Sequence, residues 1–525
     1  MNDNEHVARA TGAVGGATFI SRILGFVRDM IIANLFGTKM AADAFFVAFR
    51  IPNLLRRLLG EGSLGAAVVP IFTEYLTTKG KDEAWKLANI LLNTFLLILF
   101  VTIILGIILS PAIVRVIAPG FHTSAEKFNL TVKLTQFMFP YLLFVGMAAL
   151  TMGMLNSLRV FFIPAIGPVF LNISMILAAI FLAPRLEQPV LALSAGVIAG
   201  GLLQFFIQVP TLIKKGLQYK VTLNFHHPGL IKIGKLMLPS LVGLAVMEIN
   251  IFVDTLLASL LPEGSVSYLY YGNRLVQFPQ GIFAVALGVA ILPTLSQQAA
   301  QNQMDKLKDT LSFGIRLVLF ITIPATVGLI ILKESIINLL FERGEFSHQS
   351  TVATAHALFY YAAGLCAFSG VKVIVPAFYS LKDTVTPVKV AVYAMITNIV
   401  LNLLLMGPLQ HGGLALATSL SSLLNVMLLI FILRKKIGGI KGRTILVSTI
   451  KLAVASIMMG FIIYWINAGF YDMGANTLLK AGVLFGNIAL GMIFYFIVSF
   501  FLKVEEMKFL INLVRNSCNS KSLSL

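Results

Sequence analysis

The chain is built from long apolar stretches that are separated by short polar connections. Most of these stretches hold roughly 20 residues, the length at which an α-helix crosses about 30 Å of hydrocarbon. Of all residues 58% are hydrophobic and only 12% are charged, whereas about 25% are charged in a soluble domain. The pattern predicts an all-α polytopic membrane protein and excludes a soluble enzyme, a disordered protein and a coiled coil. We predict about fourteen spans, near residues 10–37, 40–76, 86–114, 129–156, 161–183, 190–213, 232–260, 266–297, 308–332, 351–380, 385–406, 412–434, 446–467 and 477–502.

Basic residues are concentrated in alternate connections. The connections that follow even-numbered spans are rich in lysine and arginine, as in the segment RKKIGGIKGR at 434–443, whereas the others, such as LPEGS at 261–265, carry few basic residues. Because short basic loops stay in the cytoplasm, both termini are predicted to be cytoplasmic. This signal accounts for much of the net charge of +18. No basic segment carries interleaved aromatic residues or a reader motif, which argues against binding to nucleic acid.

The sequence repeats itself at an offset of 223 residues. Several short matches share this offset: Ser157-Leu158-Arg159 with Ser380-Leu381-Lys382, Pro164 with Pro387, Pro70 with Pro293, and Leu191-Ala192-Leu193 with Leu414-Ala415-Leu416. Each unit contains six spans, so the two lobes enter the membrane in the same sense and are expected to enclose a central cavity. The predicted domains are an N-terminal six-helix lobe at 1–220, a second six-helix lobe at 221–440, two extra transmembrane helices at 441–505 and a cytoplasmic tail at 506–525.

Arginines lie inside the predicted spans, where a charge costs at least about 2.5 kcal/mol unless it faces a cavity or a partner. A guanidinium group stays charged and binds phosphate through two parallel hydrogen bonds. We therefore predict that an anionic, phosphate-bearing substrate is bound by Arg22, Arg28, Arg56 and Arg274. Four more charged residues are predicted to orient these arginines or to form gating pairs: Asp29, Asp43, Arg50 and Glu61. For Arg57, Arg316 and Lys372, snorkelling or local pairing is the favoured interpretation.

A second group of polar side chains lies in later spans. Asp254, Asn398, Asn402 and Thr418 carry carboxylate, amide and hydroxyl oxygens, which suit a hard monovalent cation. The alternative is hydrogen bonding between helices, and Glu248 competes with Asp254 for either role. Two glycine pairs, at 196 and 200 and at 482 and 486, are predicted to be close contacts between helices. No nucleotide-binding or hydrolase motif occurs in a suitable setting, so the chain is predicted to be a transporter rather than an enzyme.

Three segments carry a resemblance to a known family. They are SRILGFVRD at 21–29, DAFFVAFRIPNLLRRLLGEG at 43–62 and YYGNRLVQFPQGIFAVALGVAILPTLS at 270–296. The chain resembles the MurJ/MviN family of lipid II flippases, within the MOP superfamily of exporters. The resemblance implies movement of the undecaprenyl-pyrophosphate-linked disaccharide-pentapeptide from the cytoplasmic to the outer leaflet of a bacterial inner membrane. It also implies that the family's essential charged positions are Arg22, Arg28, Asp43, Arg56, Glu61 and Arg274.

The resemblance has further implications. In some members of the family sodium is bound between spans seven, eleven and twelve, which here implies Asp254, Asn398, Asn402, the carbonyl of Leu414, and Thr418. Asn402 and Asn273 replace acidic residues that some relatives carry. The two extra helices are implied to form a groove for the polyprenyl tail.

The mechanistic hypothesis is alternating access, in which the headgroup crosses inside the protein while the tail stays in the bilayer. A membrane potential contributes about 2.3 kcal/mol per 100 mV for each unit charge that crosses the membrane. The potential is therefore expected to drive the cycle, and sodium is the candidate for an additional signal that returns the emptied protein to its starting state. A monomer is expected, with lipid II, membrane lipids and other cell-wall synthesis proteins as partners. The alternatives are another MOP-type exporter, of polysaccharide repeats or of drugs, and a non-transporting scaffold for wall-synthesis enzymes.

Overall fold

The computed structural model describes residues 3–57 and 64–509 of the chain. Every regular element in this part of the chain is a helix, in agreement with the predicted all-α class. The helices group into two compact units. One unit comprises Met1–Ser267 with Gly344–Phe346, and the other comprises Tyr268–Arg343 with Ser347–Leu525.

The first unit contains eleven helices and the start of a twelfth. Two of them are short, with four and six residues, and lie next to longer helices. In chain order they are α1 (Asp3–Phe36), α2 (Met40–Arg56), α3 (Leu64–Thr78), α4 (Lys81–Ile117), α5 (Ala125–Met138), α6 (Tyr141–Ser157), α7 (Phe162–Ala165), α8 (Gly167–Leu177), α9 (Leu191–Phe206), α10 (Val209–Lys214) and α11 (Pro228–Ser259). The second lobe is predicted to begin at residue 221, but α11 packs within the first unit.

The second unit contains most of α12 and the eight helices that follow it. A π-helical turn, Gln280–Ala284, joins α12 to the next helix. The helices are α12 (Ser265–Pro279), α13 (Val285–Ala300), α14 (Met304–Leu340), α15 (His348–Ala363), α16 (Leu365–Ser380), α17 (Val385–Leu409), α18 (His411–Ile437), α19 (Gly442–Phe470) and α20 (Thr477–Phe501).

Eleven helical stretches in the described residues are long and apolar enough to cross a membrane. They are 24 to 37 residues long, and at 1.5 Å per residue even the shortest spans about 36 Å. Large apolar side chains point outward along them; on α4, for example, Ile98, Phe100 and Ile108 are 52%, 57% and 66% exposed. The described parts of the other three predicted spans also contain helices: α1 overlaps 10–37, α2 and α3 overlap 40–76, and α11 overlaps 232–260. The total of fourteen crossings stays a prediction.

The predicted glycine contact at residues 196 and 200 is confirmed. A Cβ atom on Gly196 would lie 2.8 Å from Met175 Cα, and one on Gly200 would lie 2.7 Å from Leu171 Cα. Helices α8 and α9 can therefore approach this closely only because these positions lack side chains. The prediction for the second pair is wrong, since a Cβ on Gly482 or Gly486 would meet no atom of the described residues within 4 Å.

The corner after α6 and the corner after α16 have the same backbone geometry. Arg159 and Lys382 both adopt a left-handed conformation with φ of 59°. In the first turn Val160 N donates to Leu155 O at 2.8 Å, and at the positions 223 residues later Asp383 N donates to Phe378 O at 2.9 Å. This shared helix-ending motif supports the predicted duplication.

The two extra helices pack on α14 through an apolar cluster. Buried members of the cluster include Phe320 and Leu332 of α14, Leu452 of α19, and Leu484 and Tyr495 of α20. The Tyr495 hydroxyl donates a 2.7 Å hydrogen bond to the Phe320 carbonyl. The burial of this apolar area holds α19 and α20 on the second unit.

Candidate functional site

Arg28 is firmly positioned by side chains of the first unit. It lies on α1 and is only 8% exposed. Its Nε and Nη2 donate to Asp29 Oδ1 at 3.0 and 2.7 Å, and its Nη1 donates to Asn172 Oδ1 of α8 at 3.1 Å. The neighbouring carboxylate and the amide therefore fix the orientation of this guanidinium group.

Asn172 is a site residue that sequence reasoning missed. Its amide nitrogen donates to the Ser21 carbonyl at 3.0 Å, so one side chain links the backbone of α1 to the guanidinium of Arg28. The signal in the sequence is a lone amide inside the apolar run GPVFLNISMIL of α8. Asn172 is thus a positioning residue, which acts through Arg28.

We expect Asn172→Leu to lower the apparent affinity for an anionic substrate about tenfold, the loss that corresponds to one hydrogen bond of about 1.4 kcal/mol to a charged group. Leucine has nearly the same volume, so folding should persist. Transport assayed at several substrate concentrations checks this, with Asn172→Gln as the partial rescue. An unchanged concentration dependence would contradict the positioning role.

The remaining arginines of the first unit differ in their surroundings. Arg22, half-buried on α1, makes no hydrogen bond or ion pair to any residue that the structure describes. Arg56 Nε donates to Asn53 Oδ1 at 2.9 Å within α2. Arg50 Nη1 donates to the Thr255 hydroxyl and, at 3.2 Å, to the Ile251 carbonyl of α11. Arg50 therefore joins α2 to α11.

Arg57 forms an ion pair with Glu248 of α11, with 3.4 Å between Nη1 and Oε1. This agrees with the local pairing that the sequence favours for Arg57, and it makes Glu248 the partner of an arginine. Glu61, the last predicted gating residue, lies outside the described residues.

Asp43 lies at the centre of a buried polar cluster. Its side chain is 2% exposed and accepts hydrogen bonds from Lys127 Nζ at 2.8 Å, Gly264 N at 2.9 Å, and Ser267 N and Oγ at 3.0 and 2.6 Å. The carboxylate therefore neutralises a buried lysine of α5 and caps the first turn of α12, where the helix dipole favours a negative charge.

Sequence reasoning did not find Lys127. The residue lies in the segment APGFHTSAEK, a connection with few basic residues, and a single lysine in such a connection is itself a signal. Lys127 is 8% exposed, and its ammonium group also lies 4.1 Å from the centre of the Phe121 ring.

In the second unit, Arg274 is half-buried on α12, five residues before Pro279 and the π-helical turn that follows. Four of the five predicted sodium ligands also lie in this unit and form a hydrogen-bonded chain between α17 and α18. Asn402 donates to Asn398 Oδ1 at 2.9 Å, Asn398 donates to Thr418 Oγ1 at 3.4 Å, and Thr418 donates to the Leu414 carbonyl at 2.9 Å.

This chain of hydrogen bonds corresponds to the alternative to a sodium site, in which the polar side chains form hydrogen bonds between helices. The oxygens of the four residues are nevertheless of the kind that binds a hard monovalent cation, so the residues fit sodium in their chemistry. Asp254, the fifth predicted ligand, belongs to the first unit. No group of three or more His, Cys, Asp or Glu residues able to hold a metal occurs where the structure describes the chain.

Comparison with known proteins identifies the family. The family model "Lipid II flippase MurJ" matches residues 32–485. A probable lipid II flippase MurJ of Vibrio cholerae is 41% identical over 423 residues, which cover 79% of this chain and 81% of the relative. The lipid II flippase MurJ of Burkholderia cenocepacia is 34% identical over 494 residues, which cover 93% of this chain and 96% of the relative.

Solved structures give the same result. A lipid II flippase MurJ in an inward closed conformation matches with a TM-score of 0.79 and 30% identity, and the match covers 93% of this chain and 98% of that one. An inward-facing multidrug transporter of the MATE family matches with a TM-score of 0.69 at 14% identity, covering 80% of this chain and 96% of that one. The second likeness shows the shared fold alone. The chain belongs to the MurJ family of lipid II flippases.

Proposed function

We propose that this protein moves lipid II from the cytoplasmic to the outer leaflet of the bacterial inner membrane. The observation that carries the proposal is the family match over residues 32–485, together with at least 34% identity to the two relatives described above. Eleven apolar helices and this membership make it a multi-pass membrane protein of the bacterial inner membrane. It is a transporter and not an enzyme.

The pyrophosphate of the substrate is bound by Arg22, Arg28, Arg56 and Arg274 in this proposal. Two observations in the first unit support the role of the α1 pair. Arg28 is pre-oriented by Asp29 and Asn172, so little side-chain entropy is lost when it binds an anion. Arg22 lies six residues earlier on the same helix. It makes no hydrogen bond to any described residue, so its donors are available to an anion.

Acidic residues nearby would repel a phosphate if they were not neutralised. Asp43 is paired with Lys127 at 2.8 Å, Asp29 with Arg28 at 2.7 Å, and Glu248 with Arg57 at 3.4 Å. Because these acidic residues are neutralised, the first unit retains an excess of positive charge that can bind a diphosphate. A multidrug exporter for cationic drugs would need an excess of negative charge instead. A scaffold that transports nothing would need no buried arginines.

Transport proceeds by alternating access in this proposal, with both termini in the cytoplasm and with the polyprenyl tail along α19 and α20. A cytoplasm-negative potential favours outward movement of the anionic headgroup by about 2.3 kcal/mol per charge per 100 mV. The protein acts as a monomer. Growth of a bacterial strain depleted of its own flippase tests the function: expression of this chain is expected to restore growth, and failure despite membrane insertion would contradict it.

We further propose that Asn398, Asn402, Thr418, the Leu414 carbonyl and Asp254 hold a sodium ion. The donor set supports this, because all these atoms are neutral or anionic oxygens. We expect replacement of sodium by choline to slow turnover and Asp254→Asn to remove that dependence, since the ion would lose its one carboxylate. Transport in vesicles of defined ion content checks this, with the exposed loop substitution Asp472→Asn as the control. Turnover that is indifferent to sodium and to Asp254→Asn would dismiss the ion.

A further inference from the structure

The second unit contains a polar pocket where α19 begins and α20 has just ended. Its volume is about 280 Å³, and the lining includes Arg316, Arg443, Ser448, Lys451, Lys503 and Glu505. We refer to it as the basic pocket. None of these residues is among the proposed substrate or sodium ligands, so the pocket is a separate site.

Ion pairs and a hydrogen bond hold the segment after α20 in place at the pocket. Arg316, 9% exposed on α14, pairs through Nη1 with Glu505 and, at 2.9 Å, with Oε1 of the buried Glu506. Glu506 Oε2 accepts a 3.1 Å hydrogen bond from Ser448 of α19. These contacts tie the segment after α20 to α14 and α19. The sequence predicts a tail that begins at residue 506, but the start of this tail is packed into the unit.

The positive charge of the pocket exceeds what its carboxylates neutralise. Within the residues that the structure describes, the side chains of Arg443, Lys451 and Lys503 make no hydrogen bond or ion pair, and Arg316 Nε is buried without a hydrogen-bond partner. Glu505 and Glu506 are both engaged by Arg316. An anion that enters the pocket therefore meets several open donors, and guanidinium and ammonium groups are the side chains that bind phosphate in proteins.

The surroundings indicate what the anion is attached to. Apolar side chains close in sequence to the lining residues are strongly exposed: Leu446 and Ile450 on α19 are 60% and 55% exposed, and Phe500 and Phe501 at the end of α20 are 57% and 76% exposed. The pocket lies at the ends of two apolar helices that are long enough to span a bilayer, which is the depth of lipid headgroups. A phosphate there would have acyl chains beside it.

We infer that the basic pocket binds the phosphate headgroup of an anionic phospholipid, with Arg443, Lys451 and Lys503 as the ligands and the acyl chains along the exposed apolar faces of α19 and α20. The site does not depend on the proposed transport function. It would anchor the two extra helices to one leaflet, the leaflet predicted to be cytoplasmic.

The test measures lipid binding to the full-length protein in detergent by native mass spectrometry. Three probes are compared: phosphatidylglycerol, a diacylglycerol with the same acyl chains, and inorganic phosphate. We expect Arg443→Gln combined with Lys451→Gln to weaken phosphatidylglycerol binding about tenfold or more, since two charged donors are lost. The uncharged diacylglycerol should bind both proteins alike. A charge-preserving variant, Arg443→Lys with Lys451→Arg, should keep most of the affinity.

The control is Arg434→Gln with Lys435→Gln, which removes the same charge from the exposed end of α18, outside the pocket. It should bind phosphatidylglycerol as the parent does. Inorganic phosphate could instead bind saturably and as tightly as the lipid, and lose this binding in the pocket variant. That result would show that the pocket binds phosphate, but it would overturn the inference that the phosphate belongs to a lipid. Equal binding of phosphatidylglycerol by the parent and the pocket variant would overturn the site altogether.

Discussion

Arg28→Ala is expected to abolish lipid II transport while the protein still inserts into the membrane. The substitution removes a proposed donor to the pyrophosphate, and charge-assisted hydrogen bonds of about 1.5–3 kcal/mol correspond to roughly 10- to 150-fold weaker binding. It also leaves the fully buried carboxylate of Asp29 without its 2.7 Å counter-charge, so a negative charge stands where an anion must bind. Growth of a flippase-depleted strain and the amount of protein in the membrane are the measurements.

Two further variants separate charge from geometry in this experiment. Arg28→Lys keeps the charge but loses the planar fork that bonds Asp29 and Asn172 together, so it should restore only part of the activity. Arg185→Ala removes an exposed arginine of the same unit and should leave transport at the parental level. Full growth with Arg28→Ala would refute the role given to this residue.

Asp43→Ala is expected to destabilise the folded protein strongly. It leaves the Lys127 ammonium buried without a counter-charge and removes the acceptor for Gly264 N and Ser267 N. Breaking a buried ion pair by removing one partner costs about 3–5 kcal/mol. We expect a clear drop in the melting temperature of the purified protein.

The matched control neutralises both partners at once. Asp43→Asn with Lys127→Met retains a side chain that can accept from Ser267 and removes the unpaired ammonium group, so it should recover much of the lost stability. If Asp43→Ala melted at the parental temperature, the carboxylate could not be the structural anchor that its four hydrogen bonds indicate.

The regular features were predictable because they follow from local pattern. Apolar runs predict helices where helices occur, and the matches at an offset of 223 predict two equivalent corners, which are found with φ of 59° at Arg159 and Lys382. The adjacency of Arg28 and Asp29 is likewise visible in the sequence alone. In each case the information lies within a few residues or in a fixed repeat.

Partners that are distant in sequence could not be predicted. Asp43 is expected from the sequence to orient arginines or form gating pairs, but it bonds to Lys127, 84 residues away, and to the start of α12, more than 220 residues away. Glu506 falls in the predicted tail, although it is fully buried against Arg316 and Ser448. Such pairs depend on which helices pack together, and single-residue cues in a chain this apolar do not specify that packing.

The most direct test of the proposed function is the leaflet-resolved accessibility of lipid II in cells that depend on this chain. Lipid II in the outer leaflet would be cleaved by an enzyme added from outside, and the cleaved fraction would be compared between cells that express the parent, cells that express Arg28→Ala and depleted cells. We predict that the parent restores the cleaved fraction and that Arg28→Ala leaves it at the depleted level. Equal cleavage in all three would contradict the account.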